Sequence, residues 1–196
     1  MNWLGCKLLL IGVLCGGLSG LSSFPEEGDV SLAMIVNVLS FGEFNIDTTY
    51  IYFFLIRYFP FLLFQALWGV YIYRHFCTAS VYFFTRVENR KKWYLGETGK
   101  LFLYVFFYLL VLVISYSFCI GWNHRLIIDM KGIVLLLYFL INQTLWLFSM
   151  TLFINLLSIC WGSSNGFLTI AGLQMAFINK YNNTRFSYIN RILCIF

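Results

Sequence analysis

A serine flanked by glycines is the first pattern in this chain that could do chemistry. Gly162, Ser164 and Gly166 match the G-x-S-x-G elbow, in which a strand, a sharp turn and a helix expose a serine nucleophile to a nearby base. The surrounding sequence offers no strand before the turn, and no acidic residue or histidine is expected close to it. Small residues more often mark a break between helices, so we predict a helix break here.

Three further patterns only partly match known motifs. Residues 96–100, GETGK, resemble the end of a phosphate-binding loop, but Tyr94 stands where that loop has Gly and Leu101 where it has Ser or Thr. The pair at residues 26–27 resembles the acidic pair of CAAX-type intramembrane proteases, but Ser31 replaces the Arg of that motif. Two separate histidines form no metal-ligand cluster. We therefore predict no catalytic residue, no metal site and no cofactor.

Polar residues inside apolar stretches are the remaining candidates. Arg57 lies within an apolar run, and burying its charge in lipid costs at least ~2.5 kcal/mol. It either lines a transport path or extends to the outer headgroups. Asn142 and Ser149 are seven positions apart and share a helix face, which predicts an inward polar stripe that bonds to other helices. Arg57 and Asn142 are our candidates for a transport path.

The composition indicates where these residues act. Of the 196 residues 61% are hydrophobic and 11% charged, whereas soluble domains average ~45 to 50% apolar and ~25% charged residues. We predict an all-α, polytopic integral membrane protein that binds no nucleic acid. The six cysteines lack metal-site or disulfide spacing, so we interpret them as small core residues. They are Cys6, Cys15, Cys77, Cys119, Cys160 and Cys194.

Apolar runs predict four or five transmembrane helices in a single domain, residues 1–196. The spans are predicted at about residues 5–22, 50–73, 101–121, 132–158 and 164–179. The first run also fits a secretory signal peptide, although we favour an uncleaved anchor. The fifth is short for a full crossing and more typical of a re-entrant or truncated span, which leaves the side of the C-terminus open. Pro60 is expected to kink the second span and free a carbonyl for a neighbour.

Charge predicts the orientation of the loops. Residues 23–49 carry five of the eight acidic residues and no Lys or Arg, whereas residues 74–100 carry six of the thirteen basic residues. Because positive loops stay in the cytoplasm, we place the first loop outside and the second inside. The short loop with His124, Arg125, Asp129 and Lys131 then lies outside.

The basic loop has a helical pattern of its own. Thr78 is expected to cap a short helix whose apolar positions recur every three residues at Val81, Phe84 and Val87. Its basic side chains then face water. Such a segment either lies on the membrane surface or is presented to a cytoplasmic partner.

This loop resembles the first cytoplasmic loop of ABC-transporter permeases of the type-2 exporter class. It looks most like the small permeases encoded with peptide or bacteriocin export ATPases in Gram-positive bacteria. The resemblance covers roughly residues 50–125 and is carried by Thr85, Arg86, Arg90, Trp93 and Lys100. It implies a coupling helix that docks on a separate cytoplasmic ABC ATPase subunit, and an exporter of a peptide or amphiphilic toxin in a bacterial plasma membrane.

The chain also departs from that class, whose permeases usually have six spans. A shortened permease would work with membrane lipid, the ATPase subunit and a second permease copy or paralogue. The alternative from another class is a non-transporting immunity or assembly protein that binds a partner through its helices. A third alternative is an intramembrane hydrolase that uses Ser164.

Overall fold

Helices make up most of the described chain, as predicted. The structure, a computed structural model, describes residues 3–21, 29–39, 49–78 and 90–176. It does not describe the side-chain surroundings of residues 3–6, 37–38, 49–57, 75–78, 90 and 123. The elements are α1 Trp3–Leu21, β1 Val30–Ser31, α2 Leu32–Leu39, α3 Thr49–Trp68, α4 Tyr71–Thr78, α5 Arg90–Asn123, β2 Leu126–Ile127, α6 Met130–Trp161 and α7, residues 163–176. The two short strands were not predicted.

Two of these helices are long and apolar enough to cross a membrane, α5 between Lys91 and Trp122 and α6 between Met130 and Trp161. Helix α5 starts well before the predicted span at residue 101, so the end of the predicted basic loop is helical. Thr78 is the last residue of α4, and the short helix that it was expected to cap lies outside the described residues. The rest of the expected coupling helix, residues 79–89, lies outside the described residues.

Helix α1 packs against α5 through glycines. Gly12, Gly16 and Gly20 recur every four residues and share one buried face. A Cβ atom on Gly16 would lie 2.5 Å from the carbonyl oxygen of Leu112 and 2.8 Å from the Cβ of Ser115. The backbones of α1 and α5 therefore meet directly, and only glycine fits at this point.

Helix α3 contacts α5 through buried aromatic rings and one hydrogen bond. The ring of Phe64 packs on Trp68, with 5.2 Å between ring centroids, and on Tyr108, with 4.8 Å. The Tyr108 hydroxyl donates to the carbonyl oxygen of Pro60 at 2.8 Å. The carbonyl bound here is that of Pro60 itself, not the one four residues earlier that a proline leaves without a donor, and α3 continues through Pro60 and is interrupted only at Gly69.

The two loops predicted to lie outside are in contact. Strands β1 and β2 pair in parallel, and the N–H of Val30 donates to the carbonyl oxygen of Arg125 at 3.0 Å. Helix α2 packs against the start of α6, where a Cβ on Gly132 would lie 2.6 Å from the Cβ of Leu32. A main-chain connection therefore joins the segment before α3 to the segment between α5 and α6.

Helix α7 folds back along α6. The N–H of Gly162 donates to the carbonyl oxygen of Ser158 at 3.0 Å and ends α6, and α7 starts at residue 163. Gly166 then lies against Ser158, and Ile170 belongs to the same buried cluster as Ile154. The predicted helix break at the G-x-S-x-G pattern is confirmed.

Candidate functional site

One face of α6 carries a row of buried polar residues. Thr144, Thr151 and Ser158 repeat every seven residues, and Asn155 lies one turn before the end of this row. All four are at most 2% exposed. The threonine hydroxyls donate to carbonyl oxygens one turn earlier in α6, each at 2.6 Å. Asn155 and Ser158 are therefore the two residues of this row whose side chains are left to interact with other helices.

Asn155 caps the start of α4. Its Oδ1 atom accepts hydrogen bonds from the backbone N–H of Ile72 at 3.0 Å and of Tyr73 at 3.1 Å. Its Nδ2 atom donates to the carbonyl oxygen of Thr151 at 2.8 Å, which holds the amide in this orientation. The first N–H groups of a helix have no partner within the helix. A side chain of α6 supplies that partner for α4.

The capped helix begins at an interruption of one longer helical path. The N–H of Gly69 donates to the carbonyl oxygen of Gln65 at 2.7 Å, and the N–H of Arg74 donates to that of Val70 at 2.8 Å. Between them, two N–H groups leave the i to i−4 pattern and bind Asn155. A Cβ on Gly69 would collide with the carbonyl oxygen of Gln65, so glycine is required at the interruption.

Helix α7 contacts both α3 and the segment around Gly69. The Tyr58 hydroxyl of α3 donates to Oε1 of Gln174 in α7, and both residues are 1% exposed. Val70, at the interruption, belongs to one buried cluster with Ile154 of α6 and Ile170 of α7. The interruption is therefore enclosed by α6 and α7.

Several buried polar atoms of α3, α6 and α7 have no hydrogen-bond partner in the described part of the chain. They are Oε1 and Nε2 of Gln65, Nε1 of Trp68, Oγ of Ser158 and Nε2 of Gln174. Each such group costs about 1–3 kcal/mol when it is buried unpaired. Trp68 directly precedes Gly69, and Gln65 lies one turn earlier. These atoms are the ones that a polar ligand or a moving helix could engage here.

A buried carboxylate connects α4 to α5. The Tyr71 hydroxyl donates to Oε2 of Glu97 at 3.1 Å, and Nζ of Lys100 donates to Oε1 at 2.7 Å. Glu97 is 8% exposed, whereas Lys100 is exposed to solvent. This hydrogen bond and the carboxylate charge raise the pKa of Lys100 above its usual range. The tyrosine ring also packs edge-on against Tyr104.

The structure does not bring the predicted site residues together. Thr85 and Arg86 lie outside the described residues, and Arg90 begins α5 with its side chain undescribed. Trp93 is half-buried on α5, and Lys100, seven positions later, pairs with Glu97. Their proposed contact with an ATPase stays a prediction.

The two candidates for a transport path have separate outcomes. Arg57 lies in α3, but its side chain is not described, so its role stays a prediction. Asn142 and Ser149 are exposed and so do not face the inside of the described bundle, and a role of Asn142 in a transport path stays a prediction. The helix turns them outward because the opposite face carries the larger buried set around Leu147 and Ile154.

Sequence reasoning did not single out Asn155, Gln65 or Gln174. The sequence shows a seven-residue spacing both for Thr144, Thr151 and Ser158 and for Asn142 and Ser149, and only the structure shows that the first set is buried. Nothing local in the sequence indicates that Asn155 caps a helix more than eighty residues earlier, because the two segments meet only in the folded chain.

The structure also describes residues of the phosphate-loop pattern and some of the cysteines. Gly96 lies within α5, so its segment forms a helix and no phosphate-binding loop. Among the described residues, no group of His, Cys, Asp or Glu could hold a metal ion. The interpretation of cysteines as core residues fits Cys15, which is buried, but is wrong for Cys160, which is exposed.

Comparisons with known proteins give no relative to set beside this geometry. No protein-family model matches the chain, and neither a curated protein nor a solved structure matches it.

Proposed function

We propose that the chain is a multi-pass protein of a bacterial plasma membrane and the permease subunit of an ATP-driven ABC exporter. Its cargo in this proposal is a peptide or an amphiphilic toxin, and a separate cytoplasmic subunit hydrolyses ATP. Helices α1, α3, α5 and α6 cross the membrane, and α7 re-enters the bundle from the inner side. The apolar run predicted at residues 164–179 would be about 24 Å long as a helix at ~1.5 Å per residue, which is short for a core of ~30 Å.

The length of α5 carries this proposal. Its 34 residues extend about 51 Å, although the hydrocarbon core is only ~30 Å thick. The apolar stretch begins at Leu101, so about 16 Å of helix precedes the core. This part exposes Lys91 and Lys92. A basic helical extension on the cytoplasmic side is a suitable docking element for a partner subunit.

The contacts of α4 provide a route for movement. Helix α4 leads directly into the basic segment that is expected to dock. It is bonded to α5 through Tyr71 and Glu97, and to α6 through Asn155. When the ATPase subunits close, a push on the docked segment would pass through these buried bonds into both long helices. Interfaces of this kind shift between discrete arrangements, as a transport cycle requires.

Copurification tests the proposal. The chain, tagged and extracted in mild detergent from its native cells, is expected to recover an ABC ATPase. A variant with Arg86→Glu and Arg90→Glu should lose it, because charge reversal opposes docking of a basic segment. The matched control reverses two charges in the outer loop, Arg125→Glu and Lys131→Glu, and should recover the ATPase unchanged. Equal recovery by all three chains would overturn the docking proposal.

A second candidate is the non-transporting immunity or assembly protein. It is favoured by the surface of α6, which leaves many apolar side chains and the polar Asn142 exposed. Such a face suits contact with another membrane protein. Recovery of a membrane protein without any ATPase in the same purification would support this candidate over the permease.

A further inference from the structure

One exposed face of α6 has the spacing of a helix-packing surface. Its residues alternate at four and three positions, as in a coiled-coil seam. We define the heptad face by these residues: Tyr138, Asn142, Leu145, Ser149, Leu152 and Leu156. All are exposed except Leu152, which is half-buried. The opposite face carries the buried residues Leu147, Ile154 and Ser158. Leu152 packs against the main core cluster at the edge of this face, and the other five residues point away from the rest of the described chain.

Asn142 lies near the middle of the membrane when α6 crosses it. The apolar part of α6 begins at Gly132, and Asn142 follows it by about 15 Å, half of a ~30 Å core. The hydroxyl of Ser149 is satisfied, because it donates to the carbonyl oxygen of Leu145 at 2.7 Å. The Asn142 amide makes no such bond to the described residues. Lipid tails offer it neither a donor nor an acceptor.

The chemistry of Asn142 selects its partner. An amide carries both a donor and an acceptor, so two asparagines can satisfy each other. Copies of one chain insert in the same orientation, which brings identical residues to the same depth across a twofold axis. Ser149 is small and lets the helices approach closely. We propose that a second copy of this chain packs on the heptad face, with the two Asn142 side chains hydrogen-bonded to each other.

This inference rests on one part of the proposed function, the placement of α6 across the membrane. It needs neither the ATPase nor a cargo. A single polar residue in such a seam also sets the register of the two helices, because any sliding separates the paired amides.

Cysteine cross-linking tests the surface. In a chain whose native cysteines are replaced by alanine, Tyr138→Cys should form a disulfide-linked dimer when membranes are oxidised. Leu137→Cys is the matched control, since Leu137 is 54% and Tyr138 67% exposed at the same depth, but Leu137 lies outside the heptad face. Equal cross-linking at both positions would indicate random collision and overturn the proposal.

Energy transfer between labelled copies tests Asn142 itself. Copies labelled at Lys92→Cys are reconstituted in phosphatidylcholine vesicles and diluted with lipid. Asn142→Leu should weaken the association about 5- to 30-fold, whereas Asn142→Gln, which keeps the amide, should retain it. Unchanged association in Asn142→Leu would refute the paired amides. The variant reversed at Arg86 and Arg90 should keep the signal, so this test does not depend on ATPase docking.

Discussion

Asn155 carries three structural bonds with one side chain. It accepts from two N–H groups at the start of α4 and donates to its own helix. Asn155→Ala leaves both N–H groups without an acceptor, and each loss costs about 1–3 kcal/mol. We expect the variant to be less stable by about 2–4 kcal/mol. Unfolding of the purified chain in mild detergent by added dodecyl sulfate, followed by tryptophan fluorescence, measures this loss.

Asn165→Ala is the control for that experiment. Asn165 also donates from Nδ2 to a carbonyl of the preceding turn, that of Trp161 at 3.1 Å, but its hydrogen bond is exposed. Water replaces an exposed bond, so we expect a change within about 0.5 kcal/mol. Equal losses in the two variants would contradict the role of Asn155 as a cap.

Residue types alone predict only part of the candidate site. The sequence shows that no soluble-enzyme motif is complete and that the fourth apolar run, residues 132–158, contains polar side chains. It does not show which face of that helix is buried. Asn142 and Thr144 are two positions apart, yet one is exposed and the other buried. A helix that is apolar on nearly all sides has no strong polarity to orient it. Its rotation is set by the shapes of the neighbouring helices.

At the scale of elements, the α1–α5 contact depends on glycine. Gly16→Ala should destabilise the chain by roughly 1–3 kcal/mol, because the added methyl group would overlap the backbone of α5. Gly17→Ala is the matched control, since its Cβ would meet only Sγ of Cys119, at an ordinary 3.7 Å. There the better helix propensity of alanine should leave stability unchanged or up to ~1 kcal/mol higher. Thermal unfolding in detergent compares them, and a larger loss in Gly17→Ala would contradict the packing.

The helices themselves were largely predictable, as was the break at Gly162, whereas the interruption at Gly69 was not. The apolar runs around α1, α5 and α6 correspond to helices in the structure. Pro60 was expected to disturb the second run, yet the break occurs at Gly69. Proline removes one hydrogen bond from a helix, and Tyr108 occupies a carbonyl there without ending it. The break at Gly69 needs the acceptor that α6 supplies, which no local pattern reveals.

At the scale of the whole molecule, the orientation of the bundle can be measured directly. In a cysteine-free background, Ile128→Cys should react with an impermeant maleimide on intact cells, because the loop before α6 is proposed to lie outside. Lys92→Cys should react only after the membrane is permeabilised. Both side chains are exposed on the protein, so the side of the membrane on which each one lies decides whether it is labelled. Labelling of Lys92→Cys on intact cells would remove the basis for ATPase docking.

The strand pair makes the two ends of the bundle mechanically unequal. The paired strands β1 and β2 and the backbone hydrogen bond from Val30 to Arg125 join the helices at one end, whereas side chains such as Glu97 and Asn155 join them at the other. The end that is joined by backbone hydrogen bonds can act as a hinge for the end that is joined only by side chains. Any opening of the bundle would therefore begin at the end with Glu97 and Asn155, which in the proposed orientation admits molecules from the cell interior first.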